Sequence, residues 1–237
     1  MTSEELVAAI RVRLDDTLNP PRVSTSTILE QASLTQCEFA RATLVLFDTV
    51  DVTVTPNTGW VEVPDNFFFL KTAILNGTQL RSITISELDF GYYSFNKKEN
   101  TERFANWRAV TGTPKFIVTD MFADRARLVP YPQTEVVVSL EGYVIPSKLS
   151  LTVNPEIPEA YHELLVSGTL MRLFVLFDVD VLNESKAQVY STQWYQGLAE
   201  AQNNLRTGLR RQMRIMELPR GFAFDVPGPK PDAGTQQ

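Results

Sequence analysis

Few residues of this 237-residue chain have the chemistry of a catalytic or metal site, and they are scattered. His162 is the one histidine and Cys37 the one cysteine. A Ser-His-Asp site would need a nucleophile motif such as G-x-S-x-G, which the sequence lacks, and a histidine and cysteine metal site needs more ligands. His162 lies between Glu159 and Glu163, so we expect it to be solvated or to cap a helix. Cys37 falls within a helical pattern, where we expect a buried small hydrophobic residue.

Acidic residues form two other groups. Asp178, Asp180 and Glu184 are spaced much as in a calcium loop, but the third ligand position and the turn glycine of an EF-hand are missing, so we expect a turn between helices capped by Asn or Asp. Four further acids could supply the carboxylate pair of a hydrolase: Glu87, Asp89, Glu99 and Glu102. Nothing else in the sequence completes a catalytic site around them. We predict that the protein is not an enzyme and has no catalytic residue, cofactor or metal.

Aromatic residues suggest an alternative binding function. Tyr92, Tyr93, Phe95 and Trp107 lie near one another in the chain, within or beside a polar segment between predicted strands. Exposed rings on a β-sandwich can form a platform for sugars. A carbohydrate-binding sandwich module is therefore one alternative, and it would bind sugars in solution without assembling.

The charge distribution points to a partner interface near the C-terminus. The net charge is −6, yet Arg206 to Arg220 contains five arginines and one acid, a local charge of +4. Three of these arginines recur every four residues and form a basic stripe on a helix, and apolar residues alternate in the tail beyond it. We predict contact with a partner protein or a neighbouring copy through Arg206, Arg210, Arg211, Arg214, Leu218, Phe222, Phe224 and Val226. An acidic protein surface is favoured over DNA phosphates because the chain as a whole is acidic.

Four amphipathic helices are predicted from apolar residues at three- and four-residue spacing. The first starts at a Thr2-x-x-Glu5 capping box, and the second starts in the run from Ser24 to Thr27. A third is predicted to begin at Pro155 to Glu159. The last has about 30 residues, long for a compact domain, so its distal half should project beyond the core or pack on a neighbouring subunit.

Between the helix pairs, apolar residues alternate with polar ones, which predicts strands. Asn76-Gly77 is typical of a type I′ hairpin turn. The predicted fold class is α+β: a four-helix bundle made from the N- and C-terminal helix pairs, an inserted antiparallel β-sandwich or barrel, and an extended C-terminal tail. The predicted boundaries are 1–48 and 150–215 for the bundle, 49–149 for the β-domain and 216–237 for the tail. Trp194 is expected in the bundle core.

The hydrophobic pattern argues against a membrane protein. The longest apolar run, Leu164 to Phe177, is interrupted by polar residues and is too short to cross a bilayer. The N-terminus is acidic and has no signal-peptide pattern. We expect synthesis in the cytoplasm and no contact with a membrane.

Several short signatures, in the same order along the chain, resemble those of the head-to-tail adaptor (connector) proteins of tailed bacteriophages, of the short-tailed type in particular. They are Arg11-Val-Arg13-Leu14-Asp15-Asp16, Val63-Pro64-Asp65, Trp107-x-x-x-x-Gly112-Thr113-Pro114, Leu128-Val-Pro130-Tyr-Pro132 and Pro155-Glu-Ile-Pro158-Glu. The resemblance spans about residues 4 to 205. The tail after Arg214 has no signature of this family.

The resemblance implies a structural function. It implies a dodecameric ring, a homo-oligomer bound below the portal protein, that connects the capsid to the tail and docks the tail nozzle or tail fibre proteins. The portal would then be the partner that the C-terminal arginines and tail contact. Double-stranded DNA would pass through the channel without sequence specificity. The protein would be made in the host cytoplasm and reside in the neck or tail of the virion. Another phage neck or tail-completion protein is the nearest alternative, and ring stoichiometry would distinguish the two.

Overall fold

A computed structural model describes residues 1–16, 19–89, 107–122, 124–176 and 183–216, with side chains up to residue 205 in the last helix. Five α-helices and two short 3₁₀ turns lie in these ranges. The helices are α1 Ser3–Leu14, α2 Thr25–Thr43, α3 Ile85–Asp89, α4 His162–Val175 and α5 Glu184–Met216, and the 3₁₀ turns are Trp107–Ala109 and Glu159–Tyr161.

Local hydrogen bonds explain where the long helices begin. The predicted capping box is confirmed at α1, where Thr2 Oγ1 accepts from the Glu5 backbone N–H and the Glu5 carboxylate accepts from Thr2. Ser24 caps α2 with one such bond, in which Ser24 Oγ accepts from the Thr27 backbone N–H. The Asn183 side chain accepts from the Lys186 backbone N–H at the start of α5, which agrees with the expected cap of a helical turn.

The third long helix starts later than its sequence pattern predicts. Glu159–Tyr161 is a 3₁₀ turn, and α4 begins at His162. Two prolines, Pro155 and Pro158, precede the turn and cannot donate a backbone hydrogen bond, so the chain enters the helix through a tighter turn.

The four long helices share one hydrophobic core. Its fully buried members include Leu6 and Ile10 of α1, Phe39 of α2, Leu170 of α4 and Trp194 of α5. Leu149 and Ile157, from the segment between the last strand and α4, join the same cluster. Each helix therefore buries one face, as its spacing of apolar residues predicts. The expected core position of Trp194 is confirmed.

Seven strands form a nearly closed sheet in the order β1-β7-β3-β4-β5-β6-β2. The strands are β1 Phe47–Val54, β2 Trp60–Glu62, β3 Phe67–Leu75, β4 Thr78–Ile83, β5 Phe116–Val118, β6 Arg125–Val129 and β7 Val136–Val144. The α+β class is confirmed. The expectation of a purely antiparallel sheet is wrong at one place, because β4 and β5 pair in parallel, with the polar segment that follows β4 forming part of their connection.

The interior of the sheet is apolar and its hairpin geometry follows from the sequence. Val54, Val61, Leu128 and Leu140 are completely buried within it. Asn76 and Gly77 both have positive φ, 50° and 75°, which confirms the predicted turn between β3 and β4.

Candidate partner interface

Helix α5 is the element on which the predicted interface depends. Its 33 residues correspond to about 50 Å, whereas the 14 residues of α4 correspond to about 21 Å. Buried side chains of α5 occur at Ala187, Trp194, Leu198 and Ala201. Near the end of this buried stretch the Gln202 side chain donates to the Ala42 carbonyl of α2 at 3.0 Å. The backbone of the helix continues for about three turns past residue 205, the last one whose side chain is described.

Close packing holds the first half of α5 against α4 and α2. Gly168 of α4 lies so near the Trp194 ring that a Cβ at this position would be 2.6 Å from Trp194 Cε3 and 2.5 Å from Thr35 Cγ2. The Phe39 and Trp194 ring centroids are 6.4 Å apart. The Trp194 position is therefore defined by three helices at once.

Ion pairs link the helices at the surface of this core. Arg172 of α4 donates to the Glu38 carboxylate of α2 at 2.7 Å, and Arg13 of α1 donates to Glu163 of α4 at 2.6 Å. The N-terminal ammonium group of Met1 lies 3.0 Å from Glu159, and this hydrogen bond lowers the pKa of that carboxyl. Arg13 of α1, Glu38 of α2, and Glu163 and Arg172 of α4 are therefore paired with one another within the molecule.

The predicted interface residues are only partly within the described structure. Arg206, Arg210, Arg211 and Arg214 lie in the last part of α5, where the backbone is described but the side chains are not. Leu218, Phe222, Phe224 and Val226 are in the segment from 217 to 237, which is likewise outside them. The role of all eight residues stays a prediction.

The structure reveals an arginine-aromatic ladder that the sequence patterns did not predict. It runs along the outer face of β6 and β2 in the order Phe122, Arg125, Trp60, Arg127, Trp107, Arg108. Each guanidinium carbon lies 4.3 to 5.6 Å from the centroids of its ring partners. Arg125 and Arg127 are two residues apart in a strand and so share a face, which is the signal that could have indicated it.

The ladder connects the chain around Trp107 to the sheet. Arg127 Nη2 donates to the Arg108 carbonyl at 2.6 Å, and burial lowers the pKa of the Arg127 guanidinium. Arg108 pairs with Asp89 at 3.3 Å, and Arg125 lies 3.7 Å from Asp124. Because two of the three arginines have a carboxylate beside them, we interpret the ladder as a structural clamp rather than a binding site for anions.

An exposed aromatic cluster lies on the outer face of β1, β7 and β3. Strand register places Phe47, Tyr143 and Phe69 side by side, and the rings of Phe47 and Phe69 are 5.4 and 6.2 Å from that of Tyr143. Phe47 is 46% exposed and Phe69 is 55% exposed. Three consecutive phenylalanines, 67–69, cannot all face the interior of one strand, and this is the signal that the sequence offered. Such a surface is typical of a protein contact.

The acids considered for catalysis serve a different purpose where they are described. The Glu87 carboxylate accepts from the backbone N–H and hydroxyl of Thr84, and Asp89 accepts from Trp107 Nε1 at 2.7 Å. These hydrogen bonds lower the pKa of both carboxyls, the opposite of the shift that a general acid needs. Glu99 and Glu102 lie outside the described residues, as do Asp178 and Asp180.

The two lone reactive side chains are placed differently from their predictions. The expectation of a solvated His162 is wrong, because the ring is buried and its Nε2 is 3.0 Å from the Ile157 carbonyl oxygen. Cys37 is half-buried rather than buried, and partial burial raises the pKa of its thiol. Helical spacing predicts that each of these helices buries one face. It does not predict how far His162 and Cys37 are covered, because the covering residues come from distant segments.

The predicted sugar-binding platform cannot include Trp107. Trp107 is buried in a small cluster with Leu88 and Val129, under α3, and donates its indole N–H to Asp89. A ring in this position cannot stack on a carbohydrate in solvent. Tyr92, Tyr93 and Phe95 lie outside the described residues.

Neither a cluster of metal ligands nor a membrane-spanning helix occurs in the described ranges. Across them, no three histidine, cysteine, aspartate or glutamate side chains come together to hold a metal ion. None of the helices in these ranges is both long and apolar enough to cross a membrane.

The fold and its surfaces define an α+β protein with a shared helical core, a nearly closed seven-stranded sheet and an overlong last helix. The family model of the SU10 adaptor protein matches residues 1–216, and the chain therefore belongs to the SU10 adaptor protein family, a family of phage adaptor proteins. A search of curated proteins found no match. The resemblance to phage adaptors is thus confirmed at the level of the family, and the match ends where α5 ends.

Proposed function

We propose that this phage adaptor is the subunit of a ring that lies below the portal and connects the capsid to the tail. The observation that carries the proposal is the family match, which extends over all four long helices and all seven strands. Within that framework we propose a dodecamer in a short-tailed virion, with the four long helices acting as one bundle around the channel. The protein acts structurally, without catalysis or a cofactor.

The length of α5 supports assembly rather than a solitary function. Past Ala201 the helix has no fully buried side chain among the described residues, although it continues to Met216. Leu205 and Leu209 continue the three- and four-residue spacing that the buried Leu198 and Ala201 begin, which is the pattern of a helix that packs on a partner. A portal subunit or a neighbouring copy would supply that partner.

The charge of this distal part suits a protein contact. Arg206, Arg210 and Arg214 recur every four residues along the helix, in a chain whose remaining charge is acidic. We propose that these arginines, with Arg211 and the tail residues beyond, contact the portal or the next copy. DNA would pass through the ring without sequence-specific contacts, and the tail nozzle or fibre proteins would dock on the outside.

Mass determination with and without portal rings tests the proposal. We expect the purified full-length protein to be a monomer alone and to form a ring of defined stoichiometry when portal rings are added. Mass photometry measures both states, and electron microscopy of the complex counts the copies. A stoichiometry other than twelve would correct the dodecamer only. A protein that binds the portal as single copies, or not at all, would contradict the proposed function and favour another neck or tail-completion role.

A further inference from the structure

The first half of strand β1 has an open edge. Within the described part of the chain, β7 is the only strand that pairs with β1. The Leu46 carbonyl accepts from the Val144 backbone N–H on the β7 side, and backbone groups alternate between the two edges of a strand. The Thr49 N–H agrees with this alternation, because it donates to the Asp48 side chain at 2.8 Å instead of to β7. The residues whose N–H and C=O groups face the open edge are therefore Phe47, Thr49 and Asp51.

Exposed rings lie beside this open edge. Side chains alternate along a strand as well, so Phe47, Thr49 and Asp51 share one face of the sheet. On that face Phe47 is 46% exposed and belongs to the aromatic cluster with Tyr143 and Phe69. An open edge with an apolar surface next to it offers both the backbone hydrogen bonds and the side-chain contacts that strand addition uses.

The tail of the same chain contains a segment with the matching pattern. Residues 220–226 lie between Pro219 and Pro227 and are outside the described residues. Phe222 and Phe224 alternate with small or polar residues, which is the period of a strand. Because proline cannot donate to a ladder of hydrogen bonds, the two prolines limit a strand here to seven residues. We call these residues the 220–226 segment.

Helix α5 brings the 220–226 segment near the start of β1. The helix runs beside α2 in the same direction, since Trp194 lies near Phe39 and Gln202 donates to the Ala42 carbonyl. Strand β1 begins five residues after Ala42. From Gln202 the backbone of α5 continues for about 21 Å to Met216. The segment starts four residues and ends ten residues after Met216, a reach of about 13 to 33 Å, so it is long enough to return over that distance.

One antiparallel register brings together opposite charges and aromatic rings. Its pairs are Arg220 with Asp51, Phe222 with Thr49, and Phe224 with Phe47. Such pairs, directly opposite each other, stabilise a ladder. Asp51 already accepts from Ser139 Oγ, and a carboxylate has further acceptor positions. Asp225, the one acid of the segment, falls opposite Leu46 and not opposite another carboxylate.

We propose that the 220–226 segment pairs with the open edge of β1 in the same molecule while the protein is free. The segment of the same chain outcompetes that of another copy, because a short tether gives an effective concentration on the order of millimolar. Where the proposed function holds, attachment to the portal releases Phe222 and Phe224 from β1. The contact then keeps these portal-binding residues covered until a portal is present.

Hydrogen exchange of the full-length protein tests the pairing. It is measured by nuclear magnetic resonance at a concentration where sedimentation finds monomers. We expect the Thr49 and Asp51 amides to exchange at least about 10-fold more slowly in the wild type than in the Phe222→Ser, Phe224→Ser double variant. The Val50 and Val52 amides face β7 and should be equally slow in both, which serves as an internal control.

A substitution on the strand side makes the test reciprocal. Phe47→Ser should accelerate exchange of the Phe222 and Phe224 amides by a similar factor, although it lies far from them in the chain. Leu151→Ser removes an apolar side chain of similar exposure, 52%, from the segment between β7 and α4, and is the matched control. Its tail amides should exchange as in the wild type. Thermal unfolding checks that each variant folds.

Three outcomes would overturn the inference. The first is exchange of the 220–226 amides in the wild type at the rate of a synthetic peptide of residues 217–237. The second is protection that rises with protein concentration, which would assign the segment to a second copy. The third is protection that appears only with portal rings, which would assign it to the portal. Ring formation on the portal is measured separately, so the proposed function and this inference can fail independently.

Discussion

At Gly168 the backbone of α4 contacts side chains from two other helices. The hypothetical Cβ would lie 2.5 Å from Thr35 Cγ2 and 2.6 Å from Trp194 Cε3. Thr35 is β-branched and Trp194 is a rigid, fully buried ring, so neither can move aside easily. Gly197 of α5 offers a matched contrast, because its nearest neighbour would be the terminal methyl group of the half-buried Leu164.

We predict that Gly168→Ala lowers the free energy of unfolding by about 1 to 3 kcal/mol, through overpacking, although alanine is the better helix former by about 1 kcal/mol. Gly197→Ala should leave the free energy of unfolding unchanged or raise it by up to about 1 kcal/mol, since Leu164 can rotate. Urea unfolding of both variants and the wild type measures the difference. Equal stabilities of the two variants would show that α4 and α5 are not as close as described.

At the scale of elements, two carboxylates anchor α3 to the sheet. Glu87 caps its first turn through Thr84, and Asp89 holds the Trp107 indole at its end. Both carboxyls have a pKa below the ordinary values of 4.5 and 3.8. Since the folded pKa is depressed, the stabilisation is complete above the ordinary values and is lost as the pH falls through the lowered ones.

We therefore predict that the Trp107 indole proton loses protection from hydrogen exchange only as the pH falls below 3.8, the ordinary value for Asp, and before the helical core unfolds. Nuclear magnetic resonance of the indole proton as a function of pH measures it. In Asp89→Asn the amide oxygen can still accept the hydrogen bond but does not titrate, so protection should be weaker at neutral pH and less dependent on pH. An unaltered pH profile in this variant would exclude Asp89 as the titrating group.

At the scale of the whole molecule, we expect the last 22 residues to be separable from the fold. The family match ends at residue 216, and the helical and sheet cores are already formed by side chains within the described part of the chain, up to residue 205. We predict that deleting Met216 to Gln237 leaves the thermal unfolding temperature within a few degrees of the wild type but weakens attachment to the portal ring. Circular dichroism measures the first and a pull-down on portal rings the second. Unchanged attachment would contradict the role proposed for Leu218, Phe222, Phe224 and Val226.

Much of the local structure was predictable because it depends on neighbours in the chain. The capping box at Thr2 and Glu5 and the turn at Asn76-Gly77 involve residues within one turn of each other. The α+β class follows from the change between helical and alternating periodicity, and the length of α5 from an apolar spacing sustained over about 30 residues. Each of these signals is complete within a short window of sequence.

Contacts between distant segments were decided only by the tertiary structure. The burial of His162, the parallel pairing of β4 with β5 and the alignment of Trp60, Arg125 and Arg127 all depend on which surfaces meet. A periodic pattern shows that a helix or strand buries one face, but it does not identify the residues that cover that face, since these come from far along the chain. The sequence by itself thus determined the elements, their order and the adaptor resemblance. The tertiary structure alone formed the apolar groove between α4 and α5, because Val175 and Gln188 become neighbours only when these two helices pack together.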